Sequence, residues 1–139
     1  MNSGVVATDE LKKIYADLKK PFKPLVNAII LSINDDSQVV VEHQLDGTKT
    51  FDDIIPLVPQ EEGRIIVCNY IFENDENPPR KIRKIVAICW APEDAPSAKK
   101  IVYSSNVKNI ASQLGAVDKT IQASNLDELS SANVRDHCL

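Results

Sequence analysis

Thiols, imidazoles, clustered carboxylates and clustered cations are the groups through which this chain of 139 residues could act, and each leaves its own signature. The three cysteines, Cys68, Cys89 and Cys138, form no Cys-x-x-Cys pair. Two lie inside the apolar runs IIVCNYIF and IVAICW and read as buried structural thiols. Cys138 is next to last, in a tail expected to fray. His43 falls in a strand pattern and His137 stands third from the end, and neither has a partner at metal-ligand spacing. The carboxylates are scattered over turns and helix starts, where capping accounts for them. The four glycines form no phosphate-binding pattern. No catalytic residue, metal site or cofactor is expected, and the chain does not read as an enzyme.

The cations are arranged with more purpose. Lys99 and Lys100 stand at the start of a long helical pattern, where the macrodipole is positive and acids belong. Each costs roughly a few tenths of a kcal/mol there. Arg80, Lys81, Arg83 and Lys84 form the densest basic cluster. On a strand, Lys81 and Arg83 share one face while Arg80 and Lys84 point the other way. Charges that guard a sheet edge against aggregation are the plainer account of this cluster. Because the net charge is -4, bulk electrostatics gives no attraction for nucleic acid, and any basic function must be local.

The elements that position these groups follow from periodicity. Thr8 can cap a helix whose first turn holds Asp9 and Glu10, followed by Leu11, Ile14, Tyr15 and Leu18 at helical spacing and closed by Pro21 and Pro24. NAIILSI (27–33) and QVVVEHQL (38–45), joined by NDDS, predict a hairpin. FDDIIPLV (51–58) is held to a brief helix or turn by Pro56. RIIVCNYIF (64–72) and KIRKIVAICW (81–90) predict a second strand pair, nearly continuous in apolar residues and so covered on both faces. A helix over 97–114, a short strand TIQAS and a terminal helix over 125–137 complete the chain. The fold class expected is α/β: one mixed, mostly antiparallel central sheet with helices on both faces, in a single domain over 1–139 with a flexible segment over 1–6. At 43% hydrophobic and 26% charged, with no apolar run near the roughly 20 residues needed to span a bilayer, the composition is that of a soluble protein. MNSGVVATDELKK lacks the regions of a signal peptide, so a cytoplasmic location is expected.

On the long helix, Tyr103, Val107, Ile110 and Leu114 fall in one narrow arc, the core stripe. A second arc holds Ser97, Lys100, Ile101, Ser104, Lys108 and Ala111: cations, small residues and one larger apolar side chain. A solvated face is the plainer reading of that arc, and a docking face is the alternative.

WAPEDAP, followed by Lys99-Lys100, Ile101 and the YSS of 103–105, resembles the pattern Trp-x-Pro, Ala-Pro, Lys-Met, Tyr-Ala-Ser-Ser-Lys of the actin-depolymerising factor and cofilin family. MNSGV is similar to the family's Ser-Gly-Val start, DLKK to its Leu-Lys element, and IQASNLDELS to the segment entering its last helix. The resemblance covers nearly the whole chain and implies a single actin-depolymerising-factor-homology domain. It further implies a protein that binds monomeric and filamentous actin, favours ADP-bound subunits and promotes severing and depolymerisation. The surface implied for monomers and filaments comprises Ser3, Gly4, Val5, Lys99, Lys100, Ile101, Ser104 and Lys108. A filament-specific surface is implied at Arg80, Lys81, Arg83, Lys84, Arg135 and Asp136. Ser3 is implied as a regulatory phosphorylation site, where a phosphate adds about two negative charges. Ile101 stands where the family has methionine, Ala98 where it often has a base, and Lys108 one place beyond the usual lysine.

Two other readings stay open at this stage. One is a filament side-binder resembling coactosin that does not sever. The other is a module whose basic patches meet phosphoinositide headgroups. The partners implied are actin and those headgroups, for a monomeric protein of the actin cytoskeleton, with nuclear entry left undetermined.

Overall fold

A computed structural model describes residues 5–139. Helix α1 (Asp9–Leu18) starts where the sequence places it, with the Thr8 hydroxyl accepting from the Leu11 backbone N–H at 3.1 Å. Strands β1 (Val26–Ile33) and β2 (Val39–Asp46) form the first hairpin, and β3 (Arg64–Glu73) and β4 (Lys81–Trp90) the second. Two short 3₁₀ turns, Phe51–Asp53 and Ile55–Leu57, fill the FDDIIPLV stretch. Helix α2 (Ser97–Leu114), β5 (Lys119–Ala123) and α3 (Ser131–Cys138) follow.

The five strands make one sheet in the order β2-β1-β3-β4-β5. All neighbours are antiparallel except β4 and β5, whose parallel pairing uses α2 as the crossover. Alternation then sorts the strand residues. Ile29, Leu31, Ile65, Val67, Ala87 and Cys89 meet α1 and α2 on one face. Ile30, Ile66, Cys68, Val86, Ile88 and Trp90 meet the 3₁₀ turns and α3 on the other. Covering on both faces is the reason β3 and β4 read as nearly continuous apolar runs.

Three expectations need correction. The terminal helix begins at Ser131 and not near residue 125. Glu128 accepts from the Ser124 backbone N–H at 2.9 Å, the Asn125 carbonyl group of the side chain accepts from Glu128 N–H at 2.9 Å, and Ser130 caps the helix through Asn133 N–H at 3.2 Å. Such local side-chain bonds compete with helix and hold 125–130 in turns. Cys138 is buried with Val134 against the sheet, so the tail is packed where fraying was expected. At the other end, Val5 is buried and Val6 bridges Gln38, so the chain is anchored from Val5 onward.

Candidate functional site

Helix α2 carries most of the expected contacts, and its packing decides which side chains are free. Tyr103, Val107, Ile110 and Leu114 are buried as the periodicity requires. Tyr103 also fixes the helix in depth: its hydroxyl accepts from Ile33 N–H at 3.0 Å, and its ring lies over Gly63. At the far end Gly115 takes φ 75°, a left-handed value suited to glycine, and its carbonyl accepts from the Tyr15 hydroxyl at 2.6 Å.

A line of amides on the same helix was not foreseen. Asn106 Oδ1 accepts from Val5 N–H at 3.1 Å, while Asn109 Nδ2 and Gln113 Nε2 each donate to the Val5 carbonyl at 2.8 Å. Gln113 Oε1 in turn accepts from Ala7 N–H at 2.7 Å. The spacing 106, 109, 113 puts the three on one helix line. That is the one sequence signal of the clamp, since its partners lie about a hundred residues away in the chain.

The outward face of α2 presents Ile101, 64% exposed, with Ser104, Ser105 and Lys108 also exposed. The hydroxyl of Ser105 donates back to the Ile101 carbonyl at 2.6 Å, leaving a low surface beside the isoleucine. Lys100 Nζ donates to the Glu93 carbonyl at 3.3 Å, which steers its charge over the first turn. Lys99 is paired with Asp35 at 2.5 Å, and the same ammonium holds the Asp35 carboxyl below its usual range. The helix begins at Pro96 with no side-chain cap and no acid in its first turn. Packing withdraws two residues: Ala111 of the expected docking arc joins the core, and Val5, expected among the contacts at the chain start, is buried under the amide clamp. Ser3 and Gly4 lie outside the described residues.

The second expected surface is at the other end of the sheet. Arg80 and Lys81 are exposed and Lys84 is half-buried. The expected alternation is present: Arg83 lies on the α1 face, and Lys84 follows the α3 face through its pairing with Tyr70. Arg83 does not fit the role expected of it. Its Nε donates to Asn69 Oδ1 at 2.8 Å, Nη1 to the Lys20 carbonyl at 2.8 Å and Nη2 to the Leu18 carbonyl at 2.7 Å. These bonds satisfy the carbonyls that α1 leaves open at its end, so the guanidinium is spent inside the fold. Arg135 Nη2 donates to the Glu73 carbonyl at 3.0 Å and to Asp75 at 2.9 Å, and the guanidinium lies 5.8 Å from the Phe72 ring centre. It therefore ties α3 to the β3–β4 hairpin, while Asp136 is exposed beside it.

Among the described residues, groups suited to catalysis are not brought together. Burial pushes the Cys68 thiol up to about 12 and the Cys89 thiol up to about 11, so neither is a nucleophile near neutral pH. His43 and His137 are exposed on β2 and α3. Among the described residues, no group of three His, Cys, Asp or Glu side chains could hold a metal ion. No helix among them is long and apolar enough to cross a membrane.

Comparison with known proteins places this geometry. The family model described as cofilin/tropomyosin-type actin-binding protein matches residues 4–139. Actin-depolymerizing factor 7 of Arabidopsis thaliana is 31% identical over 137 residues, covering 99% of this chain and 96% of the relative. The crystal structure of Streptomyces griseoflavus cofilin superposes with a TM-score of 0.80 at 26% identity, covering 96% of each chain. Human coactosin-like protein shares the fold, with a TM-score of 0.76 at 13% identity and 96% of each chain covered. The Trp90–Ser105 block, the mixed sheet with helices on both faces and the exposed α2 face thus come together in one assignment: the chain belongs to the actin-depolymerising factor/cofilin family of actin-binding proteins.

Proposed function

We propose that this protein binds actin monomers and filaments through the outward face of α2 and promotes filament depolymerisation and severing. Exposed Ile101 carries the reading. An isoleucine left 64% in water, beside small serines and flanked by Lys100 and Lys108, has no use in the fold. It has the composition of an interface centre, apolar with a charged rim. The depth of α2 is fixed by Tyr103 and its ends by Pro96 and Gly115, so the face is presented on a rigid element. Lys99 contributes less than Lys100 or Lys108, because Asp35 already compensates its charge.

The hairpin and α3 form the filament-specific surface in this reading, through Arg80, Lys81 and Lys84, with Arg135 holding the two elements together. Ser3 is the regulatory position. In the sequence it stands two residues before clamped Val5. A phosphate there would set about two negative charges against an acidic partner.

The experiment is a titration of fluorescently labelled actin monomer. Ile101→Asp should weaken binding at least tenfold while the unfolding midpoint stays unchanged, because the residue is exposed. Equal affinity for variant and parent would overturn the α2 assignment.

A further inference from the structure

Phe22 has no evident role in holding the fold. It stands in Lys19-Lys20-Pro21-Phe22-Lys23-Pro24-Leu25, the connection from α1 to β1, and is 87% exposed, with Leu25 63% exposed. Leaving such side chains in water forgoes the gain that burial gives. The loop is nonetheless held from three directions. Pro21 and Pro24 fix their own φ angles, and Lys23 between them takes a left-handed φ of 47°. Arg83 bonds the Leu18 and Lys20 carbonyls from beneath, with Asn69 Nδ2 also donating to Leu18 at 2.8 Å. On the far side the Pro24 carbonyl is pressed against Gly47, where an added Cβ would lie 2.3 Å from it.

Ile71, the cross-strand partner of Arg83, is 54% exposed on the same sheet face. Arg83 thus stands between exposed Ile71 and the loop that carries Phe22 and Leu25, with Lys23 in that loop and Lys81 two residues along β4 as exposed cations. An apolar centre with a cationic rim on a pre-set loop is the anatomy of a protein interface, in which rigidity lowers the ordering cost of binding. It is continuous with the β3–β4 hairpin and lies at the opposite end of β1 from Asp35 and Lys99. The family match is to actin-binding proteins, and Arg83 of the hairpin bonds the loop directly, which together favour actin as the occupant.

Resting on the reading of the hairpin as a filament surface, we propose that the Phe22 loop is the apolar centre of that surface and seats on an actin filament subunit. Arg83 is then a positioning residue for the loop, acting through Phe22 and not by touching the partner.

The test compares filament cosedimentation, labelled-monomer titration and flotation with phosphatidylserine vesicles for the parent, Phe22→Ala, Arg83→Lys and the double variant. Phe22→Ala should lose about tenfold in filament affinity with monomer affinity unchanged. Arg83→Lys keeps the charge but cannot make all three bonds. It should weaken filament binding alone, yet add nothing in the Phe22→Ala background, where a direct contact or a general loss of structure would add fully. Unchanged filament binding by Phe22→Ala, equal loss on monomers and filaments, or a loss confined to vesicle flotation would each overturn the proposal. If the parent itself fails to pellet with filaments, the underlying filament reading fails, and this proposal falls with it.

Discussion

Gly63 leaves no room for a side chain, since a Cβ there would lie 2.3 Å from Tyr103 Cδ2. Gly63→Ala must push the Tyr103 ring, and with it the start of α2, outward from the sheet. Overpacking of this kind costs about 1 to 3 kcal/mol, so a lowered urea midpoint is expected together with weaker binding of actin monomer. The buried thiols make a separate prediction about pH. Cys68 and Cys89 keep their protons in the folded state up to about 12 and about 11, against 9.0 for an unburied thiol. Above pH 9 the unfolded chain releases these protons and the folded one does not. Their contribution to stability is therefore complete below pH 9 and is lost as pH rises toward 11, by up to about 1.4 kcal/mol per pH unit for each thiol. Tyr15, raised chiefly by burial and also by Asp118, acts in the same direction. Urea unfolding at pH 7.5, 9 and 10.5 would reveal the decline; constant stability across that range would contradict the burial account.

Among the elements, α2 joins the fold to the function because its inner side is bolted down in three ways: the Tyr103 bond to Ile33, the Tyr15 bond to Gly115 and the amide clamp on Val5. Replacing Gln113 by Ala removes the donor to Val5 and the acceptor for Ala7. A loss of about 1 to 2 kcal/mol is expected, with faster hydrogen exchange at the Ala7 amide; unaltered exchange would show that the clamp does not hold the segment. The range of α2, 97–114, was legible in the sequence because Pro96 and Gly115 bracket an unbroken apolar stripe. The Thr8 cap of α1 and both hairpins were legible for the same reason, since their signals are local. The clamp was not, and neither was the service Arg83 gives to α1, because partners 63 to 108 residues away leave no mark on local periodicity. The start of α3 was misplaced because NLDELSS satisfies a helical pattern while Asn125, Glu128 and Ser130 bond their own backbone. Cys138 looked free only because its burial depends on where α3 docks.

For the whole molecule, the start of α2 and the β3–β4 hairpin stand at opposite ends of β1, whose eight residues span about 26 Å. At that distance their contributions should be close to independent. Neutralising Arg80, Lys81 and Lys84 together should lower filament pelleting and make it less sensitive to salt, because screening acts on exposed charges, while monomer affinity stays within about twofold. Parallel loss in both assays would mean that the cations act by general attraction. The central claim, that the α2 face turns actin binding into filament disassembly, is tested most directly by imaging surface-tethered fluorescent filaments while the purified protein flows over them, with Ile101→Asp in a parallel channel. The account predicts that filaments break along their length and shorten with the parent and persist with the variant. Filaments that are decorated but remain whole would contradict it and favour a side-binding protein, and filaments left bare would contradict it altogether.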